Sequence, residues 1–156
     1  MAAVPKLADL AEARFRKDGL CMVGTLRKDG SPRISPCELD FAAGELLLGM
    51  MSRSRKALDL LRDSRIVVHS VTSDLEGTEG DVKLYGRAID TSAAHVRQAY
   101  RDAIKARTGW APDEPEYHLF ALDIESAGYI VFGDERYALA WDPSRGLRRH
   151  TVAETT

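Results

Sequence analysis

The stretch "LCMVGTLRKDGSPRISPCELDFAAGELLLGM", residues 20–50, most limits what this chain can become. Three apolar or alternating segments, 20–26, 33–41 and 45–50, are punctuated by "DG" and "AAG". Segments this short, joined by turns this tight, read as an antiparallel meander. The alternation resumes downstream. "RIVVHSV" (65–71) and "DVKLYGRAID" (81–90) read as strands flanking a polar loop, 72–80. "YHLFALDIE" (117–125) and "GYIVFGD" (128–134) follow as two more. "RYALAWD" and "GLRRH" make a last hairpin turning near Pro143 to Gly146.

Helical spacing appears three times. At the N-terminus, residues 1–18, Leu7, Leu10, Ala11 and Phe15 fall on one stripe. A second helix follows Met51, with Ser52 or Ser54 as its cap. Its apolar face is read as Ala57, Leu58 and Leu61, with Asp59, Arg62 and Asp63 toward water. A third, capped by Thr91 or Ser92, runs through "AHVRQAYRDAIKAR", and Trp110, Pro112 and Pro115 follow in a loop. About eight short strands joined by tight turns predict a closed or nearly closed antiparallel barrel, mainly β with flanking helices. One domain is expected over 1–156, with a C-terminal hairpin end and tail at 143–156.

Composition removes several functions. Hydrophobic residues are 44% and charged residues 29%, as in a soluble globular chain. A net charge of −2 argues against a broad basic face for nucleic acid, and no nucleic-acid partner is expected. No apolar run approaches the roughly 20 residues that span a bilayer. "MAAVPKLADLAEARFRKDG" has no signal-peptide core, so a cytoplasmic location is expected. Cys21 and Cys37 lie on the two arms of the first hairpin. A two-residue turn would point their sulfurs to opposite faces; a three-residue turn with Gly30 in a bulge would bring them face to face. In a reducing cytosol both read as buried thiols. Neither a phosphate loop nor a dinucleotide fingerprint is present. The four histidines, His69, His95, His118 and His150, lack metal-ligand spacing, and the acidic loop of Asp74, Glu76, Glu79 and Asp81 misses the calcium pattern.

One cluster is out of place. "SRSRK", residues 52–56, puts three cations where the second helix begins. Helix N-termini carry partial positive charge and free N–H groups, so cations there are unfavourable unless an anion joins them. The hydroxyl of Ser54, the guanidinium of Arg55, the ammonium of Lys56 and free N–H groups together have the composition of a phosphate site.

In order along the chain, "GTLRKDGSPRISP", "ELLLGMMSRSRKALDLLRDSRIVVHS" and "GDVKLYGRAID" resemble the pyridoxamine 5′-phosphate oxidase-like, FMN-binding split-barrel family. The resemblance covers roughly residues 5 to 142. It implies a homodimeric split β-barrel with FMN at the subunit interface, acting as a flavin-dependent oxidoreductase on a small molecule. It further implies that Ser54, Arg55 and Lys56 bind the flavin phosphate and that Arg33 reaches the same region. Ile34 and Ser35 would line the ring edge, Met50 and Met51 would cradle the flavin, and Lys83 could tune the reduced ring. No catalytic residue is assigned. Glu38 stands where the oxidase has a ring-holding lysine, and Asp81 where it has a glutamine. The family's C-terminal tryptophan falls near Val131 and Phe132, and its substrate-phosphate residues are not matched, although Arg136 is close. Pyridoxamine phosphate oxidation is therefore not expected. Two alternatives stay open. Relatives use the deazaflavin coenzyme F-420 in the same groove, and arginine outnumbers lysine 16 to 6 with no asparagine, a composition of the GC-rich bacteria that often make it. A non-catalytic haem or flavin carrier would need an axial ligand, for which His69 and His118 are the strand candidates.

Overall fold

The turn after the first strand sets the register on which the rest is built. The structure, a computed structural model, describes residues 5–153; the expected helix residues 1–4 and tail residues 154–156 lie outside the described residues. Strands β1 (Leu20–Leu26) and β2 (Pro32–Ala42) are joined through Lys28, Asp29 and Gly30. Arg27 N–H donates to Ser31 O at 2.8 Å and Gly30 N–H to Arg27 O at 2.9 Å, with Gly30 at φ +83°. This is the three-residue loop with a left-handed glycine, one of the two turns the sequence allowed. It aligns Cys21 with Cys37 and Thr25 with Arg33. Both cysteines are buried and free.

β3 (Glu45–Met51) pairs with β2, and β4 (Arg65–Ser70) pairs with β1 on its other side. β5 (Asp81–Asp90) pairs with β4 and with β6 (Tyr117–Phe132). β6 also pairs with β3, which closes a six-stranded barrel. The two strands expected over 117–134 are one. A register shift at Tyr85/Gly86 lets β6 bend past Glu125 without breaking. Its second half carries β7 (Arg136–Asp142), and β8 (Gly146–Thr151) pairs with β7 outside the barrel. The mainly β barrel with flanking helices is thus as expected.

The three helices found among the described residues have separate tasks. α1 (Pro5–Asp18) buries Leu7, Ala11 and Phe15 in the barrel core. Arg14, only 6% exposed, anchors it by donating to Gly80 O at 2.9 Å, and is itself held by Asp18 of the same helix at 2.7 Å. α3 (Ala94–Thr108) begins after Ala93 rather than at Thr91 or Ser92, and no side chain caps it. It lays Tyr100 and Ile104 on a second core made by Leu47, Tyr117 and Leu119. Gly49 makes that contact possible, since a Cβ there would lie 1.9 Å from the Tyr100 hydroxyl. Gly49→Ala should therefore destabilise the protein by about 1–3 kcal/mol. A thermal melt checks this; an unchanged Tm would mean that Tyr100 is free to move aside.

α2 (Arg55–Arg62) departs from the expected face. It buries Ala57, Leu60 and Asp59, while Leu58 and Leu61 remain 43% and 49% exposed. The helix is turned so that a carboxylate, not two leucines, faces the barrel.

Candidate functional site

β3 ends at Met51, and the chain turns through Arg53, a non-glycine residue at φ +59°. Ser54 N–H donates to Met51 O at 3.1 Å, and Ser54 O accepts from Leu58 N–H at 3.0 Å, the first helical bond. Ser54 thus occupies the cap position, yet its side chain caps nothing. Its Oγ is buried and has no hydrogen-bond partner. A native buried hydroxyl is nearly always satisfied, so this one stands out at the helix start. The first turn contains no acid and begins with Arg55 and Lys56. Among the described residues Arg55 has neither a hydrogen bond nor an ion pair. An orphan hydroxyl, free N–H groups and an uncommitted guanidinium fit the donor set that a phosphate requires.

Behind the helix start lies the centre that sequence reasoning missed. Asp59, expected in water, is 3% exposed. Its Oδ2 accepts from Thr25 Oγ1 at 2.9 Å and from Arg33 Nε at 2.7 Å, and its Oδ1 from Arg62 Nη2 at 3.0 Å. Burial pushes the Asp59 carboxyl up, but the hydrogen bonds from Arg33, Arg62 and Thr25 outweigh it and hold its pKa below the ordinary value. The carboxylate spends only the Nε of Arg33, which leaves the outer nitrogens of that guanidinium for a cavity of about 650 Å³. Arg27, Lys28, Arg33, Arg55 and Arg62 line it, against the carboxylates of Asp29 and Asp59. Five cations to two anions make it a hollow that calls for an anion.

The remaining expected residues are distributed around this centre. Lys56 leaves the helix on the other side, where its Nζ donates to Pro36 O at 2.7 Å. There it lines a second cleft of about 560 Å³ together with Met50 and Met51. The two methionines differ: Met50 is 3% exposed and Met51 78%. Ser35 is half-buried opposite Val23. Ile34, 74% exposed, stands on the outer face in register with Gly24, Val67 and Tyr85, above a groove of about 430 Å³. Lys83 shares that outer face two residues from Tyr85, but lines a separate hollow with His69. Within one chain, therefore, Arg33 and Arg55 meet at the cationic cavity beside Ser54, Met50, Met51 and Lys56 meet at the second cleft, and Ile34 and Lys83 stand apart from both.

His69 and His118 are otherwise engaged. His118 Nε2 accepts from Arg53 N–H at 3.2 Å, and His69 Nδ1 lies 2.6 Å from Ser70 O. Among the described residues no group of three or more His, Cys, Asp or Glu is placed to hold a metal, and no helix is long and apolar enough to cross a membrane.

A family profile described as pyridoxamine 5′-phosphate oxidase matches residues 7–130. No curated protein matches the chain. Among solved structures, the chain is similar to a heme-binding protein from Mycobacterium smegmatis at 20% identity and TM-score 0.63, over 91% of this chain and 57% of that one. It therefore spans little more than half the length of that relative. A Clostridium acetobutylicum protein of the pyridoxinephosphate oxidase family is similar at 16% identity and TM-score 0.67, over 89% of this chain and 96% of that one. A pyridoxamine 5′-phosphate oxidase-related, FMN-binding protein from Nostoc punctiforme is similar at 16% identity and TM-score 0.59, over 98% and 94% of the two chains. At these identities the likeness speaks for the fold, a split barrel.

Proposed function

The chain belongs to the pyridoxamine 5′-phosphate oxidase family, and from that premise we propose that it is an FMN-binding oxidoreductase acting on a small molecule. The observation that carries this reading is the buried, unpartnered Ser54 hydroxyl at a basic helix start. In this reading Ser54, the first N–H groups of α2, Arg55 and Arg33 hold the phosphate. Asp59 keeps Arg33 aimed, and Lys56, Met50 and Met51 wall the flavin on the other side. Ile34 and Ser35 offer their backbone to the ring edge. FMN supplies two-electron redox chemistry, and the protein supplies position and electrostatics. Glu38, in the cleft with Lys56, sets a carboxylate where the oxidase proper has a lysine, which disfavours both an anionic reduced ring and anionic substrates. Pyridoxamine phosphate is accordingly not the substrate.

A second copy of the chain completes the molecule in this reading. Ile34 and Tyr85, 74% and 47% exposed, form with Val67 an apolar row across four strands that a partner would cover, and that would bring Lys83 to the interface. Light scattering at micromolar concentration should give a dimer mass. A monomer that retains its cofactor would overturn this.

The cofactor is tested by the visible spectrum of freshly purified protein and mass spectrometry of the released ligand. A flavin spectrum and the mass of FMN are expected. A deazaflavin mass, or a haem spectrum with ligation through His69 or His118, would replace the reading.

A further inference from the structure

The 560 Å³ cleft carries a charge that phosphate binding does not explain. Three carboxylates stand on its wall: Glu38 on β2, and Asp113 and Glu116 in the loop ahead of β6. None of them makes an ion pair among the described residues. The cation on the wall is Lys56, and its ammonium is already donating to Pro36 O at 2.7 Å. Arg97 lies close by, 4.2 Å above the ring of Tyr117, but both oxygens of Glu114 hold its guanidinium, so that pair adds no net charge. Arg101, which donates to Pro112 O, is a second cation beside Lys56, so the three carboxylates outnumber the nearby unpaired cations by one. The field reaches inward as well. The Tyr100 hydroxyl in the same cleft is pushed well above its usual pKa, first by burial and next by the charge of Glu38.

The rest of the wall is apolar and aromatic. Met50, Met51, Pro112 and Trp110 line it, and Trp110 is 59% exposed. An indole face attracts cations, and thioethers adapt to irregular apolar shapes. Fixed negative charge on low-dielectric walls concentrates the local potential. An organic anion entering here meets three carboxylates that outnumber Lys56 and Arg101, whereas an ammonium meets the same excess together with the face of Trp110.

We infer that this cleft admits cationic, largely apolar small molecules, amines with an aromatic or alkyl body, and rejects organic anions. As a substrate class, the inference rests on the flavoprotein reading above; as a charge selection, it stands on the cleft alone.

Tryptamine and indole-3-propionate test it, since they share one ring and differ in the sign of the charge. Calorimetric titration into the purified protein at low ionic strength should show tryptamine binding at least about tenfold more tightly, about 1.4 kcal/mol. Exposed charge pairs contribute about 0.2–1 kcal/mol each. Glu38→Gln, Asp113→Asn and Glu116→Gln combined should therefore reduce the preference to under about threefold, and added salt should narrow it in the parent protein. Glu116→Gln alone, at an exposed position, serves if the triple variant melts early. Equal binding, preference for the anion, no binding of either compound at millimolar concentration, or a preference untouched by these substitutions would overturn the inference. Flavin content measured on the same samples separates the two readings. Charge selection without flavin would remove the function proposed above and keep the cleft, whereas flavin without selection would remove this inference alone.

Discussion

FMN should bind at least about a hundredfold more tightly than riboflavin, because the two differ only in the phosphate that the function proposed above places at the start of α2. Each charge-assisted hydrogen bond contributes roughly 1.5–3 kcal/mol, and desolvating the phosphate offsets part of the sum. Two or three such bonds from Ser54, Arg55 and Arg33 leave about 3 kcal/mol, which is about a hundredfold. Replacing Ser54 and Arg55 together by Ala should collapse most of that gap and leave riboflavin affinity little changed. Ser54→Ala gives a sharper check. An N-cap serine normally costs about 1 kcal/mol of stability to remove. Here its hydroxyl caps nothing and is buried without a partner, so the ligand-free protein should lose no stability. FMN affinity should nevertheless fall about tenfold, for one lost hydrogen bond to a charged group. Calorimetry with both ligands and a melt of each variant decide this. A double variant that keeps the wild-type preference for FMN would mean that the basic helix start is only a solvated surface.

Loss of Asp59 should be the most damaging change to stability in this region. Asp59→Ala removes the acceptor of Thr25, Arg33 and Arg62 at once. Breaking a buried ion pair costs about 3–5 kcal/mol, and the low end applies because Arg33 and Arg62 can swing toward water. For a chain of this size that is a Tm lower by roughly 6–12 °C. The sign of the pH dependence follows from the lowered pKa. An acid whose folded pKa is depressed adds stability that is complete above its unfolded pKa, about 3.9, and is lost as pH falls through the folded pKa. The advantage of the parent protein over Asp59→Asn should therefore be full at pH 7 and shrink below about pH 4. Melts of both proteins from pH 7 to pH 3 test it. An advantage that persists undiminished to pH 3 would show that packing, not the charged cage, accounts for Asp59.

Much of this protein is legible locally. The short alternating segments, the "DG" and "AAG" turns and the three helices all appear where the sequence places them, because strand period, turn chemistry and helix period act over a few residues. The misplaced cations at 52–56 were also visible, since a basic helix start conflicts with a local electrostatic rule. The one strand misread, β6, differs in kind. Glu125-Ser126-Ala127 looks like a break along the chain, but pairing with β5 on one side and β3 or β7 on the other carries the backbone through.

By itself, then, the sequence determined the order of elements, the barrel class and the basic helix start. Only the tertiary structure decided the centre of the site. Two residues of turn or three would have left the same strands in place, yet only the three-residue loop sets Thr25 across from Arg33 on one face. Hydrophobicity alone points Leu58 and Leu61 inward on α2, and of the three partners of Asp59 only Arg62 lies near it in sequence. The choice turns on Thr25, Arg33 and Arg62 converging from β1, β2 and α2 to satisfy one buried carboxylate. A side chain whose burial depends on partners distant in the chain has no local signature, because the energy that holds it exists only once those partners are assembled.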